Sequence, residues 1–345
     1  MELGIGMFGD LSFDTQTGKP SDAGMKLQEI LEEIKLADEI GLDVFGLGEH
    51  HRRDYAISSP EIVLAAAASI TKRIKLTSTV TVLSSAEPVK VYQDFSTIDL
   101  ISNGRAEIGV GRGSFIESFP LFGYDLKDYD QLFEEKLDLL LKINENEVVN
   151  WKGKLRAPLI NQTVFPRAGN NGKIPIWVAV GGTPESVLRA ARLGLPLMVA
   201  IIGGMPKQFL PLIEYYKQQY VKNGHDAKQM QFGIHSHTFV SESADVADNY
   251  FTNYAAQMSR IGKERGWPPY TKAQYEGGRS KEGALFIGSP AEVIDKIMYM
   301  HEMFGITRFI AHMDVGAPDH KQMMKSIELF GTKVAPEVRK VLTTD

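Results

Sequence analysis

The feature that most constrains this chain is an order that repeats from residue 3 to residue 334: a short apolar or β-branched run, then a stretch with apolar residues every three or four positions. Such alternation builds parallel strands joined by helical crossovers, since a parallel neighbour is reached only by a connection that returns to the same end of the sheet. Eight runs read as strands: Leu3–Phe8, Val44–Leu47, Ile74–Leu83, Ala106–Val110, Ile174–Val180, Pro196–Ile202, Gln231–Val240 and Thr307–His312. Helical spacing falls between them, as in Met25–Ile40 with Leu27, Ile30, Leu31, Ile34 and Ala37, and again in Pro88–Ile101, Ala244–Arg265 and Pro290–Met303. Eight units favour a closed (β/α)8 TIM barrel over an open sheet.

A single barrel domain over residues 1–345 is therefore expected, with insertions near 148–172 and 266–286 at its C-terminal face. Val148–Gly172 breaks the pattern with Pro158, Pro166 and a Gly169-Asn170-Asn171-Gly172 turn. Gly266–Lys281, with Pro268-Pro269 and Gly277-Gly278, reads as a mobile excursion that can close over a site.

Composition removes several classes of function. Asp and Glu (43) outnumber Lys and Arg (38), and the basic residues form no stripe, so a nucleic-acid surface is not expected. Without cysteine there is no disulfide, thiolate nucleophile or Cys-ligated metal. The first residues lack a basic leader region and no apolar run approaches the ~20 residues of a membrane span, so a cytoplasmic protein is expected.

Strand ends are where barrel chemistry sits, and four of them carry suitable groups. Glu49, His50 and His51 follow the second strand; an imidazole there can serve as acid, base or hydrogen-bond donor, or simply cap the strand. Arg112, between Gly111 and Gly113 after the fourth strand, can fork onto a phosphate. The surrounding Gly-x-Gly-x-Gly opens no helix, which argues against a dinucleotide fold. After the fifth strand, Gly181 and Gly182 allow close backbone approach, Thr183 suits an N-cap, Pro184 suits the first helical position, and Ser186 with the free amides makes an anion cradle, or else a tightly capped turn without ligand. His312 and Asp314 end the eighth strand. His235 and His237 share one face of the seventh, a spacing that metallohydrolases use, although lining a polar barrel interior explains them better.

Gly48-Glu49-His50-His51, Thr71-Lys72-Arg73-Ile74-Lys75-Leu76, Glu87-Pro88-Val89, Ile98 through Arg105, Gly111-Arg112-Gly113, Pro120-Leu121-Phe122-Gly123 and Gly194-Leu195-Pro196-Leu197 resemble, in order, the bacterial luciferase-like flavin-dependent monooxygenases. The resemblance implies a barrel that takes reduced FMN from a separate NAD(P)H:flavin reductase and, with O2, oxygenates an organic substrate through a flavin C4a-peroxide. It implies a catalytic role for His50, phosphate binding by Arg112 and by Gly181, Gly182, Thr183 and Ser186, a non-prolyl cis peptide at Thr79-Val80 beneath the flavin ring, no metal, and a homodimer paired through the helices beside the second and third strands. Two positions depart from the luciferases themselves. Gly111 stands where they carry a reactive cysteine, and Gly182-Thr183 replaces an acidic-serine pair, which puts light emission from an aldehyde in doubt. Three other readings stay open: hydride transfer with the deazaflavin F420 on the same fold, a non-catalytic flavin-binding protein, and a metallohydrolase built on His235 and His237.

Overall fold

The computed structural model describes residues 1–14, 16–113 and 115–344. The barrel strands are β1 (Glu2–Met7), β2 (Val44–Leu47), β3 (Lys75–Ser78), β4 (Ala106–Gly111), β5 (Ile176–Val180), β6 (Leu197–Ala200), β7 (Phe232–Val240) and β8 (Arg308–His312). Each pairs parallel with the next, and β8 returns to β1 in the register Glu2↔Arg308 through Gly6↔His312. The sheet closes into an eight-stranded TIM barrel. The strands are buried along nearly their whole length because both faces are covered, one by helices and one by the barrel interior. The third expected strand is broken: Thr81–Val82 continues it along the end of β4, and the intervening Thr79-Val80 peptide is cis.

Several of the resembling stretches fasten the N-terminal face. The Asp38 carboxylate, at the end of helix Ala23–Glu39, accepts the N–H groups of Lys72, Arg73 and Ile74 at 2.8–2.9 Å and so fixes the entry to β3. Arg105 donates to the carbonyls of Ala68, Thr71, Ile74 and Ser102, closing the ends of two helices ahead of β4. Inside the barrel, Arg308 holds Glu107 through both terminal nitrogens (2.6 and 3.0 Å) and Glu2 through Nε (2.7 Å), and lies 4.0 Å over the Trp177 ring. This buried ionic layer is the floor of the space above it.

Two segments differ from expectation in what they pack against. Residues 148–172 form an antiparallel hairpin, Val148–Trp151 with Leu159–Thr163. It lies along the outer side of two barrel helices: Trp151 donates to Asp138, Arg156 pairs with Glu87, and the Phe165 carbonyl accepts from Gln93. None of its residues lines either of the cavities described below, so it does not cover them.

The helix Ala244–Glu264 carries the pattern of a barrel helix, but the helix that returns to β8 is Pro290–Phe304. Ala244–Glu264 instead packs on the loops at the C-terminal face. Tyr250 donates to the Val315 carbonyl (2.6 Å), Tyr254 shares a 2.8 Å hydrogen bond with Nδ1 of His237, and Gln257 donates to the Tyr55 hydroxyl (3.3 Å). Its inner face is aromatic with polar tips because it rests on strand ends and loop carbonyls, not on the aliphatic outside of the sheet. The whole excursion, Ser241 to Gly288, leaves and rejoins at one point: the Ser241 N–H donates to the Gly288 carbonyl at 2.9 Å, and Phe286–Gly288 pairs with the end of β7. Among the described residues, no helix is long and apolar enough to cross a membrane.

Candidate active site

Above the Arg308 floor the barrel interior opens into a cavity of about 290 Å³. Barrel interiors are usually filled by branched side chains; here Gly109, Gly111, Ala179 and Ala200 line the wall and leave the room open. A second space of about 70 Å³ adjoins it and shares Phe8, Thr79, Val80 and Gly113 with it.

One rim of the larger cavity is built to hold an anion. Arg112 donates to Thr183 Oγ1 at 3.2 Å with one terminal nitrogen and to Asp130 at 2.5 Å with the other, and its guanidinium lies 5.3 Å over the Tyr129 ring. Thr183 Oγ1 and Ser186 Oγ are 2.7 Å apart. Thr183 is the N-cap residue of helix Pro184–Leu193, yet its hydroxyl makes no capping bond. It turns toward Arg112 and Ser186, so cation, two hydroxyls and the uncapped start of a helix face one rim. Gly181 also lines it, whereas Gly182 is not on the wall and serves the turn at φ 125°, a conformation that disfavours a side chain.

The smaller space holds His50. Its backbone N–H donates to the Ile57 carbonyl (2.9 Å), its ring stacks on Tyr55 (4.3 Å between centroids), and Phe8 and Phe115 stand edge-on at 4.5 and 5.3 Å. Burial, reinforced by His312 and Arg52, pushes its pKa down to about 3, so the imidazole is neutral at any ordinary working pH. His51 is engaged otherwise, at 2.7 Å from Glu49, whose second oxygen accepts the Val82 N–H. Arg52 ties the surroundings together. It donates to Glu117 after β4 (2.6 Å), to Glu264 at the end of the helix across the mouth (2.5 and 2.7 Å) and to Asp54 (3.1 Å), with its face over Phe115.

All but Gly182 of the residues singled out from the sequence for the cofactor or for catalysis line one or both cavities. Thr79 and Val80 line both cavities, Arg112, Gly181, Thr183 and Ser186 share the rim, and His50 faces the annex. A side chain on Gly111 would start 2.8 Å from Val80, so with Val80 in place a cysteine does not fit there. His235 and His237 do share the inner face of β7, and each stands about 5 Å from His312. Asp10, His312 and Asp314 bring ligand atoms within 4.8 Å of one another, a group that neither His235 nor His237 joins. Asp314 is already saturated: its oxygens accept the N–H groups of Phe8, Gly9 and Asp10, and lie 3.1 Å from His312 Nε2. Burial opposes its charge, but His312 and these amides prevail and hold it below the ordinary carboxylate range, while burial beside Asp314 holds Asp10 well above.

Three polar atoms on these walls are left without partners, and of their residues only Ser118 was not singled out from the sequence. Thr79 Oγ1, Ser118 Oγ and His235 Nε2 are buried side-chain atoms without a hydrogen-bond partner, and each belongs to a residue on a cavity wall. Buried polar atoms are almost always paired, so three orphans around one chamber suit a ligand that carries its own donors and acceptors. A flavin, with its polar-edged ring and phosphate, fits that chamber and its rim.

The barrel thus joins an anion-holding rim to a buried neutral imidazole at its C-terminal face, where barrels of this kind carry their ligands. The chain belongs to the luciferase-like monooxygenase family, which it matches over residues 1–307. It is 35% identical over 328 residues to limonene 1,2-monooxygenase of Rhodococcus erythropolis, covering 92% of this chain and 82% of that protein. Solved structures share its fold, among them the following two. The oxygenating constituent of 3,6-diketocamphane monooxygenase from Pseudomonas putida, in complex with FMN, superposes with a TM-score of 0.76 at 21% identity over 98% of both chains. The coenzyme F420-dependent tetrahydromethanopterin reductase from Methanopyrus kandleri superposes with a TM-score of 0.74 at 20% identity over 98% of this chain and 100% of that one.

Proposed function

We propose that this chain is an FMN-dependent monooxygenase that uses reduced FMN and O2 to oxygenate an uncharged organic substrate. The observation that carries the proposal is the continuity between the Arg112–Thr183–Ser186 rim and the His50 annex, through walls shared by both cavities. Reduced FMN, when bound, supplies the electrons that activate O2. The chain's own residues then have separable tasks. Arg112, Thr183, Ser186 and the backbone at Gly181 hold the phosphate, with Gly182 shaping the turn. Thr79 and Val80 form the wall against the ring. Phe8, Phe115 and Tyr55 keep water from the annex and leave His50 as its neutral donor or acceptor. The monooxygenase relative at 35% identity favours oxygenation and the FMN-bound monooxygenase structure favours FMN, while the F420-dependent structure keeps hydride transfer as the second reading.

The partner is a separate NAD(P)H:flavin reductase, and the working unit is a homodimer. Helices Pro60–Ile70 and Pro88–Ser102, beside β2 and β3, leave Ile62, Leu100 and Ile101 exposed by 68, 48 and 46%, apolar side chains that a second copy would cover.

Anaerobic titration with reduced FMN, followed by mixing with ¹⁸O2 and a panel of aldehydes, ketones and cyclic alkenes, tests the reading. Binding and transfer of one labelled oxygen atom to a product are expected. Binding of F420 and not of FMN, with no oxygen incorporated, overturns it in favour of hydride transfer.

A further inference from the structure

The annex around His50 offers about 70 Å³ of room, well short of the ~300–1,000 Å³ of a pocket that encloses a whole organic ligand. It therefore takes only part of a molecule. Its walls differ in what else they border. Thr79, Val80 and Phe8 also line the larger cavity, and Phe8 is fixed from behind, 4.1 Å from the His312 ring with its backbone N–H on Asp314. Phe115 lines the annex and not the larger cavity, and it comes from the loop after β4. Its ring stands at 77° to that of His50, 5.3 Å away, with the Arg52 guanidinium 4.5 Å over it. Arg52 is itself held by Asp54, Glu117 and Glu264, so the ring is clamped as a wall beside the imidazole.

Resting on the FMN reading above, in which His50 serves the reacting atoms, we propose that Phe115 is a specificity-determining residue that sets the size of the substrate group reaching His50. The annex takes the reacting end of an uncharged substrate while the rest of the molecule stays outside it. A branch on the carbon beside the reacting group runs into the clamped ring, and close-packed walls yield little to extra atoms. Substrates unbranched at that carbon are therefore preferred over their branched isomers. Removing the phenyl group opens space beside His50 and leaves the Arg112–Thr183–Ser186 rim and the Thr79-Val80 wall untouched.

The test is calorimetric titration of wild type, Phe115→Ala and Phe115→Leu, each loaded with oxidised FMN, with two isomeric ketones. One is a straight-chain eight-carbon methyl ketone; the other carries two methyl groups on the carbon beside the carbonyl. Wild type is expected to bind the straight isomer at least tenfold more tightly. Phe115→Ala is expected to bring the two isomers within threefold of each other while FMN affinity stays within threefold of wild type. Benzene, which fills a phenyl-sized apolar space, is expected to restore the wild-type preference in that variant. If the alanine variant does not fold, Phe115→Leu, which keeps the space partly filled, is expected to show the same change to a smaller degree. A ring with a merely structural role would, on removal, weaken both ketones together and leave their ratio alone. A wild type that binds FMN but takes both isomers equally or neither, or a folded variant that keeps the wild-type ratio, overturns this inference alone. A wild type that does not bind FMN overturns the cofactor reading and this inference with it.

Discussion

Arg112 and Thr183 meet across 3.2 Å, the guanidinium from the end of β4 and the hydroxyl from the start of the helix after β5. The contact joins two loops from adjacent strands into one anion-holding rim. Arg112→Ala should weaken FMN binding by about 2 kcal/mol, roughly thirtyfold, on the scale of a charge-assisted contact. Asp130, which holds the other terminal nitrogen, competes with a phosphate for the same cation. Asp130→Asn should therefore strengthen binding, by up to ~1 kcal/mol. Fluorescence titration of FMN decides both, and unchanged affinity in Arg112→Ala would remove Arg112 from the phosphate site.

His50 lies in the annex and away from the rim, so its loss should separate binding from chemistry. His50→Ala is expected to leave FMN affinity within a few fold and to lower product formation by ~10²- to 10⁴-fold, the usual range for a positioned proton donor or acceptor. With its pKa down at about 3, the ring gains no proton as pH falls from 8 to 5. The pH profile of product formation should show no step near 6.5 that disappears with the mutation. Such a step would mean that His50 works as an imidazolium.

Glu33 is buried, its Oε1 3.0 Å from His320 Nδ1 and its Oε2 unpartnered. Burial outweighs Lys26 and His320 and pushes its pKa up from 4.5 to about 7. The protonated form is the one the fold favours, so its stabilising contribution is complete below about 4.5 and is lost as pH rises through about 7. Glu33→Gln keeps the acceptor and removes the charge. It should raise Tm at pH 8 and change it little at pH 5, with a difference of the order of 2–3 kcal/mol. A larger gain at pH 5 would reverse the assignment.

Lys296, on the barrel helix Pro290–Phe304, donates to the carbonyls of Gly278 (3.1 Å), Ser280 (2.7 Å) and Leu285 (2.6 Å), tying down the end of helix Lys272–Arg279. Lys296→Met removes all three of these hydrogen bonds, although the Gly278 and Ser280 carbonyls keep the Leu285 and Gly283 N–H groups, and should cost about 2–3 kcal/mol locally. Hydrogen exchange over residues 272–285 should rise while that of β1 to β6 stays put. Uniform loosening of the barrel would show that the lysine supports the global fold instead.

The exposed apolar side chains on the two helices beside β2 and β3 predict that Ile62→Glu with Leu100→Glu dissociates the proposed homodimer. Light scattering after size exclusion reads the mass directly. A wild type that runs as a monomer at micromolar concentration overturns the pairing.

The barrel was legible in the sequence because parallel strands buried on both faces are written as short, mostly apolar or β-branched runs between helical stretches, and all eight appear where those runs stand. The rim was legible because glycine, proline and hydroxyl residues cluster locally at Gly181–Ser186. Helical periodicity in Ala244–Glu264 says that one face is buried but not against what; only its tyrosines at 250 and 254, in place of aliphatic residues, distinguish a helix lying on loop carbonyls. The hairpin at 148–172 shows its irregularity in sequence but not the side of the molecule it occupies. The unpartnered atoms of Thr79, Ser118 and His235 had no sequence signal, since being orphaned depends on what every other element leaves empty.

The point where Ser241 meets Gly288 has a consequence for how such a chain can change. Because the excursion over the barrel mouth starts and finishes at one backbone hydrogen bond, its replacement by a segment of another length moves neither β7 nor the helix that begins at Pro290. What the mouth admits can therefore diversify by exchange of a single cassette while the strands, the rim and the ionic floor are inherited unchanged.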